Sequence, residues 1–251
     1  MRELLVVVTL IFQIQNGQVV GTATGFFYEK NNSIYLVTNR HVVIDETNNI
    51  KPEALRVKLH TDPNDLTKNA EIDIPLYSRG LSKWHVHPDY STKKIDIAVI
   101  EIDPNKLKPY FFKTLSAAIL LNKDYSLAMG EDVMVIGFPR GLSDTKYNLP
   151  INRSAMISSA YNIDFQGNPL FLVDANLHPG MSGSPVLTRA KSIWQASDGS
   201  LKSYNAPVSF FLGVFSSTLG INLPTGQQEP LGLGTVWYAY LIGEIINSLS
   251  E

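Results

Sequence analysis

The sequence predicts an all-β protein arranged as two barrels and closed off by a C-terminal helix. Three observations predict it. Fourteen Pro and 17 Gly punctuate the chain, and short runs rich in Val, Ile, Phe and Tyr lie between them, the pattern of strands joined by turns. Five or six such runs fall in each half, enough to close one barrel per half. The chain then ends on Leu241, Ile242, Ile245, Ile246 and Leu249, whose spacing is helical. At 251 residues with 44% apolar and 18% charged side chains, there is apolar material for one large domain or two small ones sharing a core, and disorder is excluded.

Residues 6–28 read as two strands around the turn Asn16-Gly17, with Thr22, Thr24 and Phe26 alternating in the second, a strong hairpin signal. Asn31-Asn32 makes the next turn, before a strand over 34–37. Residues 55–59 and 72–76 form a pair across the polar loop 61–69, and 95–102 is a largely apolar strand ending the first half. In 103–124, Pro104 and Pro109 break any long helix. The second half repeats the style, with strands expected at 132–136, 154–160, 170–174, 185–187, 210–216 and 235–240, and a packing helix over 239–249. Two stretches, 188–209 and 219–232, read as loops long for hairpin connections, where specificity usually resides.

The formal net charge is −2, from 21 Lys+Arg against 23 Asp+Glu. Neither a nucleic-acid backbone nor an anionic membrane surface has an electrostatic footprint here, so no nucleic acid and no membrane is expected among the partners. With no Cys, disulfides, thiolate metal sites and a Cys nucleophile are excluded together. The apolar run 4–12 follows Glu3, leads into a polar alternation at Gln13, Gln15 and Asn16, and has no small-residue cleavage site after it. It reads as a strand, with a cytoplasmic location; the alternative is a signal peptide and a secreted or periplasmic protein. A run of nine residues is too short to span a bilayer as a helix.

Three stretches each hold a polar residue in an apolar strand context: Val37-Thr38-Asn39-Arg40-His41-Val42-Val43, Ile95-Asp96-Ile97-Ala98-Val99 and His178-Pro179-Gly180-Met181-Ser182-Gly183-Ser184-Pro185. A serine hydroxyl becomes a nucleophile when an imidazole takes its proton, and a carboxylate fixes the imidazole's tautomer and stabilises its charged form. His41, Asp96 and Ser182 supply base, orienter and nucleophile in the order His, Asp, Ser, which differs from the Ser, acid, His order of α/β-hydrolases. Gly180 lets the backbone bend so that the N–H groups of Gly180 and Ser182 aim at one point, an oxyanion hole. His85 and His87 lie two apart but lack a third ligand close in sequence, so no metal and no cofactor is expected. His60 carries no signal.

The same stretches resemble the trypsin-like serine proteases of the chymotrypsin fold, closest in style to the bacterial HtrA-like peptidases. Thr38-Asn39 before His41 with Val42-Val43 after it, Asp96-Ile97-Ala98-Val99, and Asp174-Ala175 through Pro179-Gly180, Ser182 and Gly183 follow the family's pattern, as do Ile136-Gly137-Phe138-Pro139 and His87-Pro88-Asp89-Tyr90. The resemblance covers nearly the whole chain. It implies a single peptidase domain over 1–251: a six-stranded antiparallel barrel over 1–115 with His41 and Asp96, a second over 116–238 with Ser182, and a helix over 239–251, with the site in the crevice between the barrels. It implies a serine endopeptidase acting through an acyl-enzyme on a protein or peptide substrate, with a regulatory partner protein as a further expectation. It also implies a substrate pocket built from Asn176, Leu177, His178, Ser216, Ser217 and Thr218. After Ser216 only the last strand and helix are read, so the PDZ module that HtrA proteases carry is not expected.

Several residues depart from the family's pattern. Arg40 replaces a small residue, Met181 an Asp or Asn, and Ser184 a Gly. Arg40 has to reach solvent or a carboxylate, because an unpaired buried guanidinium is costly. Asn176 stands six before Ser182, where trypsin carries the acid that binds Lys and Arg; a neutral floor cannot offset the desolvation of a cation, so an uncharged residue is expected before the scissile bond. Two other functions fit the same residues, a catalytically silent peptide-binding module of the protease fold and a small-ester hydrolase.

Overall fold

The computed structural model describes residues 2–121, 124–223 and 228–249. β1 (Val8–Gln15) and β2 (Gln18–Lys30) form the expected hairpin. Asn16 and Gly17 take φ of 53° and 72°, as the two-residue turn that matches strand twist requires. Asn31 and Asn32, also at positive φ, turn the chain into β3 (Ser33–Thr38). After β4 (Ala54–His60), β5 (Asn69–Pro75), β6 (Trp84–His85) and β7 (Ala98–Ile102), the first half is one sheet in the order β5-β4-β1-β2-β3-β7-β6, with Leu115–Ser116 added parallel to β2.

This sheet curls without closing by a ladder among the described residues. Its ends approach where the Lys83 N–H donates to the Leu76 carbonyl at 2.9 Å. The expected strand over 95–102 is shorter, starting at Ala98. Its pairing with β3 stops at Thr38↔Ala98, because the Asp96 carbonyl accepts from the Asn39 side chain instead of from a neighbouring strand.

The second half does close. β8 (Asp132–Gly137), β9 (Ile151–Ile157), β10 (Leu170–Asp174), β15 (Gln228–Tyr238), β14 (Phe211–Asn222) and β11 (Pro185–Thr188) make a six-stranded barrel in that order. The stretch 188–209, read as a loop, carries the hairpin β12 (Lys191–Gln195) and β13 (Leu201–Val208). That hairpin is tied down where Trp194 packs edge-on against Phe210, centroids 5.0 Å apart. The stretch 219–232 is likewise mostly strand, a continuation of β14 and β15; its residues 224–227 lie outside those described. The helix Tyr240–Asn247 buries Leu241, Ile242, Ile245 and Ile246.

The apolar core is continuous across the halves. Phe26 and Val37 of the first sheet share one cluster with Val135, Phe171 and Phe211 of the barrel. Phe26 meets Phe211 edge to face at 5.3 Å, an arrangement that adds to the area both bury. A second cluster, with Ile11, Phe27, Leu36, Leu55 and Ile100, fills the first sheet alone. Sharing a core fixes the relative position of the residues that each half contributes to the candidate site.

Candidate active site

β3 ends at Thr38, and after Asn39 a helical turn, Arg40–Val43, lifts His41 to the rim of the sheet while Val42 and Val43 face the core. Ile95 and Ile97, both fully buried, pin the backbone on either side of Asp96 and leave its carboxylate free to turn toward the histidine. Asp96 Oδ2 accepts from His41 Nδ1 at 2.7 Å, and Oδ1 accepts from the His41 backbone N–H at 3.0 Å. The Ser216 hydroxyl donates to Oδ2 as well, at 2.6 Å. An acceptor-only carboxylate on Nδ1 puts the neutral ring's proton there and leaves Nε2 with its lone pair.

These contacts set the titration of the pair. Burial works to lower the His41 pKa, but the Asp96 hydrogen bond and charge, with Asp45 adding, outweigh it and hold the imidazole above its ordinary range. Burial works to raise the Asp96 pKa; hydrogen bonds and charge from His41, and the Ser216 hydroxyl, outweigh that and hold it below the usual carboxylate range. The His41 side chain is 40% exposed and that of Asp96 21%, so the ring is open to a substrate while the acid lies behind it.

Ser182 sits on the turn following Gly180. Its hydroxyl donates to the Ser216 carbonyl at 3.0 Å, so Ser216 touches the acid through its side chain and the serine through its backbone. Among the described residues no hydrogen bond joins Ser182 to His41 Nε2. Ser216 entered the sequence reading only as a pocket residue; its hold on Asp96 is a long-range contact that no local motif announces.

The backbone around Ser182 is held by its carbonyls. Pro179 C=O accepts from Arg140 N–H at 2.6 Å, and Met181 C=O from Ser184 N–H at 2.9 Å. In a trans peptide the N–H points opposite to the C=O, so the Gly180 and Ser182 N–H groups face away from those partners. Neither donates to a protein acceptor among the described residues. Gly180 is at φ 92°, and a Cβ there would lie 2.5 Å from the Phe138 carbonyl and 2.8 Å from Arg140 N, so only glycine fits. Gly183, at φ 86°, would place a Cβ 2.1 Å from the Thr24 carbonyl.

The remaining sequence-predicted positions divide. Asn176 is exposed rather than at a buried floor, Leu177 is packed into the barrel core, and His178 is half-buried, its carbonyl accepting from Met181 N–H. Ser217 and Thr218 are exposed on β14 beyond the buried Ser216. Arg153, which the sequence reading passed over, donates from its guanidinium to the Asn176 carbonyl at 2.6 Å. Met181 is fully buried in the apolar core. Arg40 forks onto Glu46 and lies 4.4 Å from the centre of the Tyr90 ring. His87 bridges from Nε2 to Glu244 at 2.8 Å, and His60 to the Tyr147 carbonyl at 2.8 Å. No cluster of three metal-ligating side chains occurs among the described residues.

Residues 23–193 match the family described as trypsin-like peptidase domain. In fold, the chain is similar to a serine endoprotease from Yersinia pestis, with a TM-score of 0.57 at 18% identity, covering 99% of this chain and 64% of that one. It is also similar to a protein from M. tuberculosis, solved as an inactive serine-to-alanine mutant, with a TM-score of 0.51 at 17% identity over 97% of this chain and 86% of that one. The chain thus spans under two thirds of the length of the Yersinia enzyme, and at these identities the likeness is one of fold. No curated protein matches it in sequence.

Proposed function

This chain belongs to the trypsin-like peptidase domain family, and from that premise we propose that it is a serine endopeptidase hydrolysing peptide bonds through an acyl-enzyme on Ser182. His41 is the base and then the acid, Asp96 its orienter, and the Gly180 and Ser182 N–H groups the oxyanion hole. The observation that carries this reading is the Asp96 carboxylate, on which His41 Nδ1, the His41 N–H and the Ser216 hydroxyl converge. A binding module has no need of a carboxylate that dictates one histidine tautomer.

For attack, the Ser182 hydroxyl turns from the Ser216 carbonyl to His41 Nε2. That is a side-chain rotation on the picosecond to nanosecond scale, and it exchanges one neutral hydrogen bond for another, each worth about 1 kcal/mol net. His41 Nε2 takes the proton as Ser182 Oγ bonds to the substrate carbonyl carbon. The carbonyl oxygen gains charge facing the two free N–H groups, and the imidazolium, stabilised by Asp96, protonates the leaving amine. Water then repeats the sequence on the acyl-enzyme.

Substrates are proteins or peptides with an uncharged residue before the scissile bond. The Arg153 guanidinium, which donates to the carbonyl of the exposed Asn176, places a cation beside that segment, which disfavours Lys and Arg further. The proposed setting is a bacterial cytoplasm, with activity restrained by narrow specificity or a partner protein. The test is fluorophosphonate labelling together with casein cleavage. Wild type labels and cleaves, and Ser182→Ala does neither; labelling without cleavage of any polypeptide would favour the ester hydrolase, and no labelling the silent module.

A further inference from the structure

We infer that Thr24, on β2 of the first sheet, is a positioning residue that aims the oxyanion-hole donors; this rests on the reading of Gly180 and Ser182 given above. Thr24 is fully buried and every polar group it owns is used. Its hydroxyl donates to the Gly180 carbonyl at 2.8 Å and accepts from the Phe138 N–H at 3.0 Å. Its backbone N–H donates to the Ser182 carbonyl at 2.9 Å. Its carbonyl accepts from the Thr38 hydroxyl at 2.8 Å, and Thr38 closes β3 two residues before Arg40 of the histidine's helical turn.

The donors of the hole belong to the peptides Pro179–Gly180 and Met181–Ser182, and Thr24 holds the peptide between them by its Gly180 carbonyl. The same hydroxyl anchors Phe138, the start of the segment whose Arg140 N–H grips the Pro179 carbonyl. Arg140 itself sits at φ 52°, a conformation that a non-glycine residue keeps only when its surroundings enforce it. One hydroxyl therefore fixes both sides of the turn, and does so from the other half of the molecule. A valine in its place has the same shape but leaves a buried carbonyl and a buried N–H unpaired, each of which then seeks a new partner. Rotation of either peptide turns a donor away from the oxyanion.

The test compares Thr24→Val with Thr24→Ser, which retains the hydroxyl, with Thr24→Ala as a second deletion should the valine protein fail to fold. Thr24→Val is expected to lower kcat on a casein-derived fluorogenic peptide about tenfold to a hundredfold, since loss of a whole donor costs about a hundredfold or more, with KM held within about threefold. Thr24→Ser is expected to recover most of it. The discriminating readout is a tripeptide aldehyde, whose tetrahedral adduct carries an oxyanion, against the same tripeptide as an amide. Thr24→Val weakens the aldehyde more than about tenfold and leaves the amide unchanged. Equal kcat in wild type and Thr24→Val, or parallel weakening of aldehyde and amide, overturns the inference while leaving the serine peptidase standing. A wild type that no fluorophosphonate labels overturns both.

Discussion

In Asp96→Asn, the three donors that converge on the carboxylate meet an amide, and the geometry decides which way it sits. The His41 backbone N–H, 3.0 Å from Oδ1, cannot turn away, so the amide oxygen has to face it; the reverse orientation sets two N–H groups against each other at a cost of about 1–3 kcal/mol. The amide NH2 then occupies the Oδ2 position, 2.7 Å from His41 Nδ1 and 2.6 Å from the Ser216 hydroxyl. The hydroxyl can rotate to accept, but the ring can accept only by moving its proton to Nε2, the atom that should receive the Ser182 proton. The equivalent change in the chymotrypsin template lowers kcat about 10⁴-fold, or about 5.5 kcal/mol of transition-state stabilisation, and the same loss is expected here. The assay is kcat/KM on a peptide substrate across pH. Activity requires neutral His41, so in wild type it rises with pH through a pKa held above the ordinary histidine value by Asp96. With that charge gone, burial outweighs the remaining pull of Asp45 on the ring, and the acid limb moves to lower pH. An Asp96→Asn enzyme within tenfold of wild type, or with an unmoved acid limb, would refute the reasoning.

Gly180→Ala should abolish turnover with the chain still folded, because a Cβ 2.5 Å from the Phe138 carbonyl forces the turn out of its positive-φ form; circular dichroism and active-site titration check it. Met181→Asp buries an unpaired carboxylate in the space of a fully buried methionine and should cost on the order of 3–5 kcal/mol, read as the shift in urea midpoint. An unchanged midpoint would mean that residue 181 does not face the core. A cleavage-site profile should show uncharged residues before the scissile bond and, in Arg153→Glu, a gain of Lys and Arg sites. A wild-type profile already dominated by Lys or Arg would contradict the role given to Asn176 and Arg153.

What the sequence makes legible here is local. Asn16-Gly17 and Asn31-Asn32 announce their hairpins because positive φ at a two-residue turn is a property of the turn itself. His41 and Asp96 stand out because each adjoins an apolar run, and Ser182 because it lies in the stretch Pro179-Gly180-Met181-Ser182-Gly183. The contacts that organise them are not local: Ser216 lies 120 residues from Asp96, and Thr24 lies 156 from Gly180. Thr24 did leave a trace, as a hydroxyl on the buried side of the Thr22, Thr24, Phe26 alternation, where an apolar residue would be the rule. The hairpin over 188–209 was hidden because its strands are largely exposed, with Ile193 and Leu201 facing solvent, so no alternation separates it from a loop. The shape of the first sheet was illegible for a related reason: whether its ends pair depends on a single backbone contact, Lys83 to Leu76, between residues of no distinctive type.

The central claim, that Ser182 is acylated, is tested most directly by rapid mixing with p-nitrophenyl acetate followed by peptide mapping. The account predicts a burst of one nitrophenolate per active chain and an acetyl group on Ser182, with both lost in Ser182→Ala and the burst rate collapsing in His41→Ala. Acetylation elsewhere on the chain, or a burst that survives Ser182→Ala, would contradict it.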